Sequence, residues 1–205
     1  MKPQTILLIV GLLAVPVIGF MAYSAASAPL PDGFPQPTPS GKIEVKQYPA
    51  YRSGTYTYKG KLSQAANESF SPLFQHISSN GIGMTAPVEA RYPSITLEEF
   101  PNGKPDEVGQ TEVSFLYRNE AVQPKQIARG IKVESHPSIT VVSIGIRGAY
   151  TYAVYQENLK FLRDWLAKHP SYVVSGLPRR FFYDSPFIPD AFKRSEVQVP
   201  ILMNL

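Results

Sequence analysis

Ile43–Gly60 reads IEVKQYPAYRSGTYTYKG, and Ile131–Gly148, 88 residues further on, reads IKVESHPSITVVSIGIRG. Laid on each other without a gap, Ile43-Glu44-Val45 falls on Ile131-Lys132-Val133, Pro49 on Pro137, and Lys59-Gly60 on Arg147-Gly148. Just beyond, Ala65 falls on Ala153. Identities number five in the forty positions from Ile43 to Ile82, so the pattern carries more than the count. Each copy is a short strand, a Tyr-Pro or His-Pro turn, a longer strand, a glycine, a helix and further extended chain. Solenoid repeats run about 20–50 residues, so this longer offset predicts a duplicated supersecondary unit.

In the first copy, Ile43–Tyr48 and Tyr51–Tyr58 read as strands. Alternation in the second puts Tyr51, Ser53, Thr55 and Thr57 on one face and Arg52, Gly54, Tyr56 and Tyr58 on the other. A helix starts near Ser63, a fair N-cap. Phe70, Leu73, Phe74 and Ile77 recur at helical spacing and make one apolar face. Pro72 is expected to kink or interrupt this helix, and Asn80-Gly81 to end it. Extended segments follow at Met84–Arg91 and Thr111–Arg118, with a turn at Pro101–Pro105 between them. In the second copy the strands are Ile131–Ser135 and Ile139–Ile146, and the helix is Tyr152–Lys168. Tyr155, Leu159, Leu162 and Leu166 form its inner stripe, and His169-Pro170 closes it. Tyr172–Ser175, Phe181–Tyr183 and Val197–Leu202 are the last extended pieces. The expectation is an α+β domain of two β-α-β-β units, about eight strands and two helices, with a cleft or barrel mouth as the ligand site.

Outward from this core lies a different kind of sequence. No charge occurs between Lys2 and Asp32, and Ile6–Tyr23 is 18 nearly continuous apolar residues. That is near the length that spans a bilayer, about 20 residues, and longer than the about 7–15 of a signal-peptide core. Residues 1–28 are read as a signal peptide or an N-terminal membrane anchor. Ala26-Ser27-Ala28 has the form of a cleavage site, although Pro29 fits the peptidase poorly. Both outcomes put the domain outside the cytoplasm or hold it to the membrane. A buried core helix is disfavoured by Gly11, Pro16 and Gly19. Residues 29–41 hold five prolines and read as an extended spacer, which places the folded domain at 42–205.

The chain has 205 residues, enough for one domain with a real core. It has no cysteine, which excludes disulfides, cysteine-ligated clusters and thiol catalysis. His76, His136 and His169 are its three histidines, too far apart for a local metal-ligand spacing. Net charge is +4, with Lys and Arg dispersed, and no nucleic-acid partner is expected. There are 12 tyrosines and 11 phenylalanines, enough to pack a core and also line a flat apolar ligand site.

Several stretches together resemble the SOUL haem-binding protein family. They are Ile82-Gly83-Met84-Thr85-Ala86-Pro87-Val88, the opening strand Ile43–Tyr48, Tyr183-Asp184-Ser185-Pro186-Phe187, and Arg194-Ser195-Glu196-Val197. The likeness spans Lys42 to Leu202. It implies a distorted antiparallel eight-stranded barrel flanked by two helices, binding haem or another tetrapyrrole. The same architecture resembles effector-binding domains of multidrug-responsive regulators and their hydrolytic relatives, so fold alone does not fix function.

The resemblance implies a haem surface on the first helix, at Asn67, Phe70, Phe74 and Gln75; Met84 could offer a thioether to it, although a buried methionine is usually packing. Phe70 and Phe74, one turn apart, could stack on a porphyrin; the competing reading makes them ordinary core residues. Lys59 and Lys61 are candidates to pair with the propionates. Some relatives carry a histidine where Gln47 stands here. His76 is the candidate iron ligand, although a rim or surface position suits it better, and binding without an axial protein ligand is expected to suffice. His136 is expected to be exposed, and His169 to complement the end of the second helix. The alternative is a hydrolase or small-molecule-binding module using Glu196 as a buried acid–base. The reading favoured for Glu196 is instead an exposed ion pair with Lys193 and Arg194. No nucleophile elbow or phosphate-binding loop supports catalysis, so a carrier, buffer or sensor is preferred to an enzyme.

Overall fold

The computed structural model describes residues 28–92 and 108–204. Among the described residues are nine strands and two α-helices. β1 is Ile43–Tyr48 and β2 Tyr51–Lys61. A 3-10 turn at Leu62–Gln64 leads into α1, Ala65–Ser79. β3 is Val88–Arg91, β4 Val108–Leu116, β5 Ile131–His136 and β6 Ile139–Arg147. α2 is Tyr152–Ala167, followed by β7 at Tyr172–Val174, β8 at Arg179–Phe182 and β9 at Arg194–Met203. The predicted Pro101–Pro105 turn and the N-terminal apolar segment lie outside the described residues. Among the described residues no helix is long and apolar enough to cross a membrane.

The sheet is antiparallel, in the order β1-β6-β9-β8-β3-β4-β2-β5, with β7 attached to β9. β2 pairs with β4 and β5, and β6 pairs with β9 and β1. β4 pairs with β3, β9 with β8, and β3 meets β8 in the middle. The expected closed barrel is therefore corrected to an open sheet in which β1 and β5 end the order. β1 runs through Pro49-Ala50 into β2, and β5 through Pro137-Ser138 into β6, so each edge strand is tied to a strand far away in the order. A step of three residues reaches only roughly 10 Å, and the sheet must curl to allow it. The Arg179 Nη1 on β8 lies 2.9 Å from the Tyr51 hydroxyl on β2, three strands away. In a flat sheet the two strands would lie about 14 Å apart.

The two faces differ in chemistry. α1 and α2 pack on the outer face. Leu73 and Ile77 meet Val113, Phe115 and Ile131, while Tyr155, Leu159 and Leu162 meet Val142, Ile144, Val197 and Val199. Thr151 caps α2 by accepting from the Val154 amide at 3.3 Å. α1 runs through Pro72 without interruption, because Ser69, Leu73, His76 and Ile77 are buried along its length and hold it to the sheet. Its expected apolar face is rotated: Leu73 and Ile77 are inside, Phe70 is half-buried and Phe74 is 45% exposed. Ser63 belongs to the 3-10 turn and caps nothing.

Residues 28–41, read from sequence as a spacer ahead of the domain, pack into its curled inner face. Phe34 is buried edge-on against Tyr48 and Tyr51, at ring separations of 5.0 and 5.5 Å. The Asp32 amide donates to the Arg118 carbonyl, and the Ala86 amide to the Pro29 carbonyl. Ser40 bridges to Gly145, whose lack of a side chain lets the Thr38 and Pro39 carbonyls lie against it. Prolines stiffen such a strap and remove donors that an irregular buried segment would leave unpaired.

Candidate functional site

The residues expected to form a haem surface sit on and beside α1. Phe70 and Phe74 stack at 5.6 Å with an interplanar angle of 11°, and Phe70 is also edge-on to Phe115. Asn67 and Gln75 are exposed on the same helix, and Lys59 and Lys61 are exposed at the end of β2. Met84 is half-buried in the cluster under α1 that also contains Phe70 and Ile82. The Met84-Thr85-Ala86-Pro87-Val88 string is anchored by Thr85, whose hydroxyl donates to the Leu116 carbonyl at 2.7 Å, and its Ala86–Pro87 peptide is cis. Phe70 and Phe74 thus form an aromatic shelf, flanked by polar side chains and partly open to solvent.

His76 lies differently from a rim residue. It is fully buried, its Nε2 is 2.8 Å from the Tyr117 hydroxyl, and burial lowers its pKa. Iron ligation by Nε2 would have to break that bond. Among the described residues no cluster of three His, Cys, Asp or Glu groups is placed to hold a metal. His169 stacks on Trp165 at 3.8 Å, and its Nδ1 lies 2.7 Å from the Trp165 carbonyl at the end of α2.

The inner face carries charge that the sequence reading places elsewhere. Glu196 is not an exposed partner of Lys193 and Arg194; it is fully buried. Lys46 reaches it at 2.9 Å, Ser143 at 2.9 Å and Gln198 at 2.5 Å, and the Thr38 amide of the strap donates to it as well. Burial pushes its carboxyl up, but the Lys46 charge and these donors outweigh burial and hold it below its usual value. That is the reverse of the raised pKa an acid–base role would use. Lys193 instead pairs with Asp190, and Arg194 with Asp184.

Gln198 extends the network: its Nε2 also donates to Tyr48 at 2.8 Å, and its Oε1 accepts from Arg179 Nε at 2.8 Å. Arg179 in turn approaches Glu89 at 3.6 Å, and Glu89, fully buried, accepts from Arg91 at 2.6 Å and from Tyr51 at 3.0 Å. Burial raises the Glu89 carboxyl, and Arg91 with Arg179 more than reverse that. His136 is not exposed either; it stacks on Tyr51 at 4.4 Å and bonds Ser53 at 2.9 Å. Sequence alternation does place Tyr51, Ser53 and Thr55 on this face. No sequence signal marks Glu89, Arg91 or Arg179 as interior, because a charged residue in an alternating strand ordinarily faces water.

Past this network, at one end of the curled sheet, opens a cavity of about 510 Å³. It is lined by Tyr51, Arg91, Glu112 and Arg179 together with residues 136–140, 175–177 and 200–202. Neither the α1 shelf nor Glu196 lines it.

This arrangement, two helices backing a curled antiparallel sheet, recurs in solved structures. The C-terminal domain of EcmrR has a TM-score of 0.61 at 17% identity, over 79% of this chain and 98% of that one. EcmrR in its complex with DNA also gives 0.61 at 16% identity, but there the chain spans only 57% of the partner's length. A hydrolase from Listeria innocua gives 0.57 at 12% identity, over 80% of this chain and 94% of that one. At these identities the likeness shows a shared fold and nothing finer. No curated protein matches the sequence significantly. The model of the SOUL heme-binding protein family matches residues 36–200. The chain belongs to the SOUL haem-binding protein family.

Proposed function

We propose that this protein binds haem or a related tetrapyrrole against the outer face of α1, as a carrier, buffer or sensor rather than an enzyme. The observation that carries this reading is the Phe70–Phe74 stack, with Phe74 45% exposed, in a chain of this family. A flat porphyrin would cover the shelf, and Lys59, Lys61, Asn67 and Gln75 would meet its propionates. Met84 would support the shelf from the half-buried layer below. Because His76 is engaged by Tyr117, apolar contact supplies most of the affinity. The two sets of matching ladders support a duplicated β-α-β-β origin, which would leave α2 as the counterpart of α1.

Haemin titrated into the full-length chain should give a saturable one-to-one Soret change at micromolar concentration or below. Burial of a large apolar side chain is worth about 1.5–3 kcal/mol, and about 1.4 kcal/mol is tenfold in affinity. Phe74→Ala should therefore weaken binding roughly tenfold, with circular dichroism unchanged. His76→Gln should leave the Soret position unaltered. Normal binding by Phe74→Ala together with loss of the band in His76→Gln would make His76 the iron ligand and defeat the shelf mechanism.

The site of action follows from the apolar N-terminal segment: we place the domain outside the cytoplasm, exported or anchored. A fusion of residues 1–41 to a reporter active only outside the cytoplasm should be active. A silent reporter and a cytosolic protein would reject that placement.

A further inference from the structure

We infer that the loop between β8 and β9, together with the start of the strap, is a bilayer-facing end of the domain, with Phe187 and Phe192 entering the lipid interface. This rests on the anchored form of the placement proposed above, in which Ile6–Tyr23 is the membrane anchor. The strap fixes which end that is. Four residues, 24–27, separate Tyr23 from Ala28, so Ala28 lies no more than roughly 18 Å from the anchor. From Ala28 onward there is no slack. The Pro29 carbonyl accepts from the Ala86 amide, the Asp32 amide donates to the Arg118 carbonyl, and Leu30 packs on the cluster of Phe34 and Tyr183. A free spacer would let the domain tumble, whereas a packed strap orients it.

Register puts the β8–β9 loop at the same end. Val88, which opens β3 just after Ala86, lies opposite Phe182, which closes β8, and opposite Phe115, three residues before Arg118. The chain leaving β8 at Tyr183 therefore emerges beside the first residues of the strap. In that loop Phe187 is 83% exposed and Phe192 62%. The loop is nonetheless held at its base. Asp184 accepts from the Arg194 amide at 2.6 Å and from its Nη2 at 2.7 Å, Lys193 pairs with Asp190 at 2.7 Å, and the Tyr150 hydroxyl donates to the Arg194 carbonyl at 2.8 Å. Both carboxylates of the loop are thus paired, and what it presents outward is apolar. Aromatic rings on a held loop with its charges paired suit the boundary between headgroups and acyl chains. Leu202 and Met203 are exposed too, but they end the strand that Arg194 begins, about 30 Å along β9, and face away from the strap's start.

The chain has no cysteine, so one introduced cysteine carries a nitroxide label at a single position. The full-length protein is labelled as Ala191→Cys, beside Phe192, or as Ser171→Cys, beside the far end of β9, and placed in phosphatidylcholine nanodiscs; both positions are exposed. Collisions with oxygen, which concentrates in lipid, and with a nickel chelate, which stays in water, give the depth of each label. The Ala191 label is expected about 5–10 Å into the headgroup boundary, the depth of interfacial apolar side chains, and the Ser171 label in water. Adding Phe187→Ser and Phe192→Ser should return the Ala191 label to water. Melting temperature and co-elution with the discs should not change, because both rings are exposed. Protein that co-elutes with the discs while its Ala191 label stays in water overturns the insertion and spares the anchor. Loss of access to both quenchers would put a protein surface over the loop and overturn it as well, and immersion of the Ser171 label instead would reverse the orientation. Protein that does not co-elute, or that cells yield without Ile6–Tyr23, rejects the anchor and this inference with it.

Discussion

Lys46→Met is expected to destabilise the folded chain by about 3–5 kcal/mol at neutral pH, the range for removing one partner of a buried ion pair. For a domain of this size that lowers the melting temperature by roughly 10 °C. The reason is the depth of Glu196, which is fully buried with Lys46 as its nearest cation at 2.9 Å. In the parent the folded-state pKa of Glu196 lies below its unfolded value. Its contribution to stability is therefore fully present above the unfolded pKa, about 4.3, and is lost as pH falls through the folded value. Without Lys46, burial dominates and the folded pKa rises above the unfolded one. The carboxylate then opposes folding at neutral pH, and protonation relieves it in acid. Urea unfolding at pH 7, 5 and 4 should show the gap between variant and parent closing as pH falls. The double variant Lys46→Met with Glu196→Gln should recover most of the loss at pH 7. A gap independent of pH would assign the effect to packing of the lysine stem instead.

The second large effect is expected at Gly145. A Cβ there would lie 2.1 Å from the Thr38 carbonyl oxygen and 2.4 Å from that of Pro39, both main-chain atoms that cannot rotate away. The strap must lift, although the Gly41 amide reaches the Gly145 carbonyl at 2.8 Å and the Gly145 amide reaches the Lys42 carbonyl at 3.1 Å. Lifting it withdraws Phe34 from Tyr48 and Tyr51 and the Thr38 amide from Glu196. Gly145→Ala should cost about 3 kcal/mol or more, the size typical of a forced shift in a packed interior. Thermal melting measures the loss, and limited proteolysis should newly cut between residues 28 and 41. Gly83→Ala is the control: nothing lies within 4 Å of a Cβ built there, and its melting temperature should match the parent's. A Gly145→Ala variant as stable and protease-resistant as the parent would mean that the strap lies against this glycine without contributing.

Both effects arise where residues distant in the chain meet. The strands and helices themselves are legible locally: β1 falls at Ile43–Tyr48 as its pattern predicts, and α2 at Tyr152–Ala167 within a residue of expectation. The alternation of Tyr51, Ser53 and Thr55 correctly assigns them to a shared face, and the family is readable in the Met84–Val88 string and its companions. Those signals are written in neighbouring residues, because helix and strand periodicity depend only on the chain's own geometry. What alternation leaves open is which strand face becomes interior. That depends on how far the sheet curls, and the curl follows from two short connections joining strands at opposite ends of the order. Once the inner face closes over, Glu89, Arg179 and Glu196 pass from apparent solvent positions to full burial. Each is held there by countercharges or donors contributed from elsewhere in the fold, Lys46 acting across 150 residues of sequence. The strap shows the same division. Its prolines announce an extended chain, whereas its burial rests on Phe34 finding Tyr48 and Tyr51 and on Thr38 finding Glu196. A segment's conformation is a property of its own residues, but its burial is a property of the surface it meets, and only the folded sheet supplies that surface.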